Sequence, residues 1–101
     1  MIVVRFKMKC KPETTEQARA AFQEVIVASR PLDGVLSFDI GADLAEPDSF
    51  VGVEVFEDRA ALDRQESLPV TQRTIAMLEE LLAAEPEAIV YDVASAAPWG
   101  E

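Results

Sequence analysis

One stretch near the start of the chain decides the fold: Ile2-Val3-Val4-Arg5-Phe6-Lys7-Met8-Lys9-Cys10. Every even-numbered residue in it is apolar, whereas the odd-numbered ones include one arginine and two lysines. Alternation with a period of two is typical of a β-strand that buries one face and leaves the other polar. A single strand cannot bury such a face alone, so partner strands and helices are expected further along the chain.

A helical pattern follows this strand. Thr14 and Gln17 have the spacing of a capping box. Apolar or small residues then recur on one helical stripe until Pro31: Ala18, Ala21, Phe22, Val25, Ile26 and Ser29. Asp33-Gly34 predicts a turn, and residues 35–41 and 50–56 alternate again on either side of a polar loop. These two stretches predict a hairpin of the second and third strands.

The second half of the chain predicts two helices and a last strand. Asp58 can cap a short helix that carries Ala61 and Leu62, and Pro69 begins a longer one with the stripe Thr71, Ile75, Leu78 and Leu82. Residues 88–93 then read as a strand. The order β-α-β-β-α-α-β predicts an α+β, ferredoxin-like domain over residues 1–94, with a four-stranded antiparallel sheet and helices on one face.

The remaining residues, 95–101, predict a C-terminal tail. Its one large side chain, Trp99, follows a proline and would be an exposed apolar group if the tail were free. We therefore expect Trp99 to dock on a subunit surface and anchor the tail.

Composition and charge exclude several classes of function. The chain has 101 residues, half of them apolar, and its formal charge of -10 disfavours nucleic acid and anionic membranes as partners. There is no run of about 20 apolar residues and no signal-peptide pattern, so we expect a soluble, cytoplasmic domain. The chain has no histidine and one cysteine, and its acidic clusters lack the spacing of a calcium loop. We expect no metal, no nucleotide site and no disulfide.

The alternation of each strand divides the predicted sheet into two faces. The face beneath the helices is expected to hold the apolar positions Ile2, Val4, Phe6, Met8, Phe38, Ile40, Val51, Val53, Val55, Ile89, Tyr91 and Val93. The opposite face combines opposite charges, which can pair across strands, with aromatic residues. It predicts a homodimer interface that includes Arg5, Lys7, Asp39, Glu54 and Phe56. The alternative is a solvated sheet face.

Taken together, these strands, helices and turns resemble those of the antibiotic biosynthesis monooxygenase family of dimeric α/β barrels. The resemblance rests on the order and spacing of the first strand, the Asp33-Gly34 turn, residues 48–58, the Ala60-Ala61-Leu62 helix start and residues 85–93. It implies a ferredoxin-like subunit that dimerises through its sheet and holds a small-molecule pocket between the sheet and the helices.

The chain also departs from parts of that family. The haem-degrading branch carries Asn, Trp and His where this chain has Val4, Gln65 and Ile75, so that branch is excluded. Many quinol oxygenases of the family carry His near the break between the last two helices, where this chain reads Arg64-Gln65-Glu66-Ser67-Leu68-Pro69. No catalytic residue of the family transfers to this chain.

The predicted pocket has an apolar, partly aromatic lining that suits a planar ligand: Val4, Phe6, Phe22, Ile26, Phe38, Val53, Leu62 and Ile75. The alternative is that these side chains simply fill the core. Tyr91 is the candidate catalytic residue, since its hydroxyl could donate to a ligand carbonyl or phenolate. Glu54 is either a catalytic acid or half of a structural ion pair with Arg5, and Arg64, Gln65 and Arg73 either orient a polar ligand edge or are solvated.

The resemblance implies a cofactor-independent monooxygenase that acts on a small aromatic or quinol-type compound. In such an enzyme the substrate's own carbanion or phenolate reacts with oxygen, so the protein supplies a dry pocket and polar stabilisation of an oxyanion. No cofactor is expected. The alternative is a non-catalytic small-molecule binding or carrier dimer of the same fold.

Overall fold

The computed structural model describes residues 1–100, and Glu101, the last residue of the predicted tail, lies outside the described residues. It has the predicted order of strands and helices, with a 3-10 turn at Pro12–Thr14 added before the first helix: β1 (Ile2–Lys9), α1 (Thr15–Ser29), β2 (Val35–Ala42), β3 (Ser49–Phe56), α2 (Arg59–Glu66), α3 (Pro69–Leu81) and β4 (Glu87–Asp92). The strands form one antiparallel sheet in the order β2-β3-β1-β4. This confirms the α+β, ferredoxin-like prediction.

Local sequence signals explain where the helices begin. The carboxylate of Asp58 accepts a hydrogen bond of 2.9 Å from the backbone N–H of Ala61 and so caps α2, and Pro69 occupies the first position of α3. Gly34 makes the turn into β2 with φ of 83°, and a Cβ there would lie 2.6 Å from the Cβ of Ala61. The turn before β2 therefore packs directly on the start of α2.

The core consists of two apolar clusters between the sheet and the helices. One is formed by Ile2, Val25, Phe38, Phe56, Ala61 and Leu62, and the other by Cys10, Ala18, Phe22, Phe50, Leu81 and Leu82. The rings of Phe22 and Phe50 meet edge to face with centroids 5.2 Å apart. Ile40 packs against both clusters, so they adjoin at this residue of β2.

The register of β3 corrects the predicted faces of the sheet. Ile2 of β1 lies opposite Phe56, Val4 opposite Glu54, and Phe6 opposite Gly52. Residues directly opposite on antiparallel strands share a face. Glu54 and Phe56 therefore lie beneath the helices, and their predicted place on the outer face is wrong.

The same register moves apolar residues outward. Val53 lies opposite Arg5 in β1, so the prediction that it lines the inner face is also wrong. In β4, Tyr91 lies opposite Val3 and Ile89 opposite Arg5, so both point away from the helices. Tyr91 cannot reach a ligand held between the sheet and the helices of its own subunit, which removes the candidate catalytic role.

Gly52 shows why the alternation in β3 misleads. A Cβ built on Gly52 would lie 2.0 Å from a ring carbon of Phe6, so the glycine makes room for an aromatic ring from the neighbouring strand. The inner face of β3 thus carries a glycine and a glutamate between two buried phenylalanines, Phe50 and Phe56. Its outer face carries three valines, and hydropathy alone assigns the two faces the wrong way round.

In the tail, Trp99 is fully exposed, so it does not dock on its own chain. Docking on a second subunit stays a prediction. None of the helices described for residues 1–100 has the length and apolar character that a membrane span requires.

Candidate functional site

A cavity of about 290 Å³ lies between the inner face of the sheet and the three helices. Pockets for small ligands are typically about 300–1,000 Å³, so this one suits a compact molecule. Its walls are largely apolar and include Val4, Phe6, Phe22, Phe38, Ile40 and Ile75. Strand β1, helix α1, strand β2 and helix α3 supply these residues, so assembly of the whole subunit creates the cavity.

The structure brings five of the eight predicted pocket residues to this cavity, namely Val4, Phe6, Phe22, Phe38 and Ile75. Leu62 is fully buried in the first core cluster, and Ile26 packs against that cluster without lining the cavity. Val53 lies on the other side of the sheet. For Leu62 and Ile26 the structure therefore favours the alternative, that they fill the core.

Polar groups from α2 and α3 form one side of the cavity. Gln65 is 2% exposed, and its Nε2 donates to the hydroxyls of Ser29 at 3.0 Å and Thr71 at 3.2 Å. Thr71, Thr74 and Glu66 line the same cavity. The two hydrogen bonds hold the Gln65 carboxamide in place, as is usual for a buried polar group.

The two arginines considered beside Gln65 lie elsewhere. The guanidinium of Arg64 donates to the backbone oxygen of Asp33 at 3.0 Å, and Arg73 is exposed. Neither lines the cavity.

Glu54 places a carboxyl group on the sheet side of the cavity. Its direct neighbours on the adjacent strands are the apolar residues Val4 and Phe38. It forms no ion pair within residues 1–100, so the predicted pair with Arg5 is absent from the subunit described. Burial, assisted by the negative charge of Glu66, raises the pKa of Glu54 from 4.5 to about 7. The group is therefore partly protonated at neutral pH and can either accept or donate a proton.

The electrostatics of the cavity are one-sided. Its described lining includes two carboxyl groups, from Glu54 and Glu66, but no lysine or arginine, and the chain contains no histidine. A ligand carboxylate or phosphate would meet no cation there and would be repelled. The positions that carry Asn, Trp and His in the haem-degrading branch, Val4, Gln65 and Ile75, all lie on the wall and offer no imidazole to an iron atom. Within residues 1–100 no cluster of three potential metal ligands occurs.

The other side of the sheet carries an apolar surface, here called the outer patch: Val3, Val51, Val53, Val55, Ile89 and Tyr91. Val53, Ile89 and Tyr91 are 39%, 48% and 43% exposed. The patch runs across the neighbouring strands β3, β1 and β4. Contiguous apolar surfaces of this kind usually mark an interaction site.

Two charged residues of this face pair with residues outside the neighbouring strands, and not with each other across the sheet as predicted. Lys7 pairs with Asp43 at 3.4 Å and Glu46 at 2.9 Å, which belong to the loop after β2. Asp39 pairs with Arg30 at 3.0 Å. Of the five predicted interface residues, Arg5, Lys7 and Asp39 lie on the outer face, whereas Glu54 and Phe56 lie on the inner one.

Comparison with known proteins identifies the family of this chain. The sequence profile described as "Antibiotic biosynthesis monooxygenase" matches residues 1–77. The Synechocystis protein sll1783, named only as uncharacterised, is 34% identical over 93 residues, which cover 92% of this chain but 63% of that protein. The chain thus spans less than two thirds of the length of this relative. The Bacillus subtilis protein named "Putative monooxygenase YcnE" is 31% identical over 84 residues, which cover 83% of this chain and 88% of that protein.

Solved structures share the whole fold. Rv0793 from Mycobacterium tuberculosis superposes with a TM-score of 0.88 at 24% identity, covering 96% of this chain and 98% of that one. A Deinococcus radiodurans protein, named "putative antibiotic biosynthesis monooxygenase", superposes with a TM-score of 0.87 at 21% identity and 97% coverage of both chains. These likenesses establish the fold of the subunit.

Proposed function

Since the chain belongs to the antibiotic biosynthesis monooxygenase family, we propose that it is a cofactor-independent monooxygenase acting on a small aromatic or quinol-type compound. The observation that carries the proposal is the apolar cavity with one polar side between the sheet and the helices. Phe6, Phe22 and Phe38 offer aromatic surface to a planar ring. The carboxyl, hydroxyl and carboxamide groups offer hydrogen bonds to its oxygen substituents.

The chemistry requires no external reductant. When a ring methylene is oxidised to a carbonyl, one atom of dioxygen enters the product, and the other leaves as water with the two hydrogens of the methylene. The substrate supplies the electrons through its own anion. The protein contributes by binding and orienting the ring, excluding water and stabilising charge on the substrate oxygen.

We also propose that the protein acts as a homodimer in which the outer patches of two copies pack against each other. Charged residues such as Lys7 and Asp39 lie around the patch already paired within the subunit, whereas Arg5 lies within it, between Val53 and Ile89. The patch thus combines apolar area with one guanidinium group, and arginine is itself enriched at the cores of interfaces. Apolar area, rather than balanced charge, favours the dimer.

Oxygen consumption by chelator-treated protein, without added flavin, tests the enzymatic activity. With anthrone as substrate, we expect oxygen uptake above the buffer rate, with one anthraquinone and one water formed per dioxygen consumed. With 1,4-naphthohydroquinone we expect the hydroxylated quinone and water, whereas simple oxidation to the quinone would release hydrogen peroxide. Ile75→Glu, which adds a third carboxyl group to the cavity wall, should weaken substrate binding. Val27→Glu makes a matched change on an exposed part of α1 and should leave uptake unchanged.

The alternative, a non-catalytic binding or carrier dimer, predicts a different result from the same panel. Tight binding of these ligands that is sensitive to Ile75→Glu, with no oxygen consumption above the buffer rate, would refute the monooxygenase and support the carrier.

A further inference from the structure

The surroundings of Glu54 leave its carboxylate available to a bound molecule. The side chain projects from the middle of β3 between Val4 and Phe38, neither of which can donate a hydrogen bond. No side chain or backbone N–H within residues 1–100 donates to it. A carboxylate on the wall of an apolar cavity that has no partner of its own is an acceptor for a ligand proton.

The residues facing Glu54 from the other elements supply no competing base at that point. Helix α1 and strand β4 contribute apolar side chains, including Phe22 and Ala88, and α3 contributes the hydroxyls of Thr71 and Thr74. Helix α2 contributes Gln65, whose Nε2 is already engaged, and Glu66, which is exposed at the rim. Glu66 is the only other titratable or charged residue in the described lining.

We propose that Glu54 is the general base of this cavity and that the substrate is an uncharged hydroxyaromatic compound. In this step the substrate O–H bond breaks, its electron pair stays on oxygen as the phenolate, and the proton forms a new O–H bond on the Glu54 carboxyl group. The cavity carries the same net charge before and after the step. A substrate with a carboxylate, phosphate or sulfate group would add a charge that nothing on the wall balances.

The acidity of the group supports this role. With its pKa near 7, Glu54 is a stronger base than an ordinary glutamate and is still substantially ionised at neutral pH. Its basicity is therefore closer to that of a phenolate, whose conjugate acid has a pKa of about 10 in tyrosine. The inference rests on the proposed function for its catalytic meaning, but the proton acceptor can be tested without turnover.

The kinetic test uses Glu54→Gln, which preserves shape and removes the base. If wild-type protein consumes oxygen with 1,4-naphthohydroquinone, kcat/KM should rise with pH through a limb near pH 7. We expect Glu54→Gln to lower kcat/KM by about 100-fold or more and to abolish that limb. Glu66→Gln removes a charge that raises the pKa of Glu54, so the limb should move to lower pH. Glu24→Gln, a matched change on the exposed surface of α1, is the control and should keep both the rate and the limb.

The binding test uses 2-naphthol and its methyl ether, 2-methoxynaphthalene, under nitrogen between pH 7 and 8, where the naphthol is uncharged because its pKa, like that of tyrosine, is near 10. Wild-type protein above pH 7 should prefer the neutral naphthol by roughly tenfold or more, because a hydrogen bond to a carboxylate is stronger than one to a neutral acceptor. Glu54→Gln should lose most of that preference, whereas Glu24→Gln, on the exposed surface of α1, should keep it. Thermal unfolding checks that both variants are folded.

The outcomes separate the two proposals. A wild-type rate, pH limb and hydroxyl preference in Glu54→Gln would overturn the assignment of Glu54 while leaving the monooxygenase standing. A hydroxyl preference that depends on Glu54, without oxygen consumption by any form, would refute the monooxygenase and support Glu54 as the proton acceptor of a binding site.

Discussion

In the middle of strand β3, the inner face is more polar than the outer face, which is the opposite of what is expected for a buried and an exposed side. The inner face, beneath the helices, carries Gly52 and Glu54 between two phenylalanines, whereas the outer face carries Val51, Val53 and Val55. The inner face can include small and charged residues because it borders a cavity as well as the core. The outer face is apolar because, on our proposal, a second sheet covers it. Hydropathy indicates that a side chain is buried, but it does not distinguish burial beneath the helices from burial against a second subunit.

The largest effect is expected from placing a charge on the outer patch. In the proposed dimer, Val53→Lys would bury two uncompensated ammonium groups related by the twofold axis, each costing several kcal/mol. In light scattering behind a sizing column, we expect this variant to be monomeric and wild-type protein to be dimeric. Val27→Lys, a matched change on the exposed surface of α1, should remain dimeric. A monomeric wild-type protein would remove the basis for the proposed interface.

Truncation of the inner face should be the next largest effect. Phe56 is fully buried in the first core cluster, so Phe56→Ala should lower the free energy of unfolding by about 3–5 kcal/mol in urea titrations. Val53→Ala in the same strand removes a partly exposed side chain and should cost less. Equal losses from the two variants would contradict the assignment of the faces.

The pH dependence of stability offers a third contrast. Because the pKa of Glu54 is raised from 4.5 to about 7 in the folded protein, the stability this group contributes is fully present below pH 4.5 and is lost as the pH rises through 7. At about 1.4 kcal/mol per pKa unit, the loss amounts to at most about 3.5 kcal/mol. Glu54→Gln should therefore unfold at a higher urea concentration than wild-type protein at pH 8 and show a flatter pH profile. If Glu54 faced solvent on the outer side, the two profiles would coincide.

The smallest effect concerns the glycine that accommodates Phe6. Gly52→Ala forces a methyl group into the Phe6 ring and should destabilise the fold by about 1–3 kcal/mol, while moving that ring against the cavity. Gly41→Ala is the control, because a Cβ there meets nothing within 4 Å. Chemical denaturation and ligand titration of both variants measure the difference. A Gly52→Ala protein as stable as Gly41→Ala would show that Phe6 does not pack over Gly52.

Much of the architecture was predictable because interactions between residues close in sequence determine it. The Asp58 cap, the proline at the start of α3 and the Gly34 turn act within a few residues, so they identify the starts of α2, α3 and β2 from sequence alone. The bulge in β2 was not predictable. There the pairing changes between Val35 and Ser37, which leaves Leu36 exposed because the partner strand has no matching residue.

The candidate site was predictable only in part. Residues on β1, α1 and α3 whose hydropathy agrees with their position, such as Phe6, Phe22 and Ile75, were placed correctly in the cavity. Glu54 was not, because a glutamate between two valines reads as the solvent side of a strand. Phe50 and Phe56, which share its parity, carry the sequence signal that could have corrected the assignment, since two phenylalanines on one face of a strand favour burial of that face.

For this protein the sequence by itself determined the order of strands and helices, their approximate ends, the excess of negative charge and the absence of imidazole from any site. Only the tertiary structure decided which face of β3 and β4 meets the helices, and hence that Glu54 lies in the cavity and Tyr91 on the outer patch. The physical reason is that either face of an alternating strand can point toward the helices. Which face does so depends on the hydrogen-bond register with a strand that is distant in sequence.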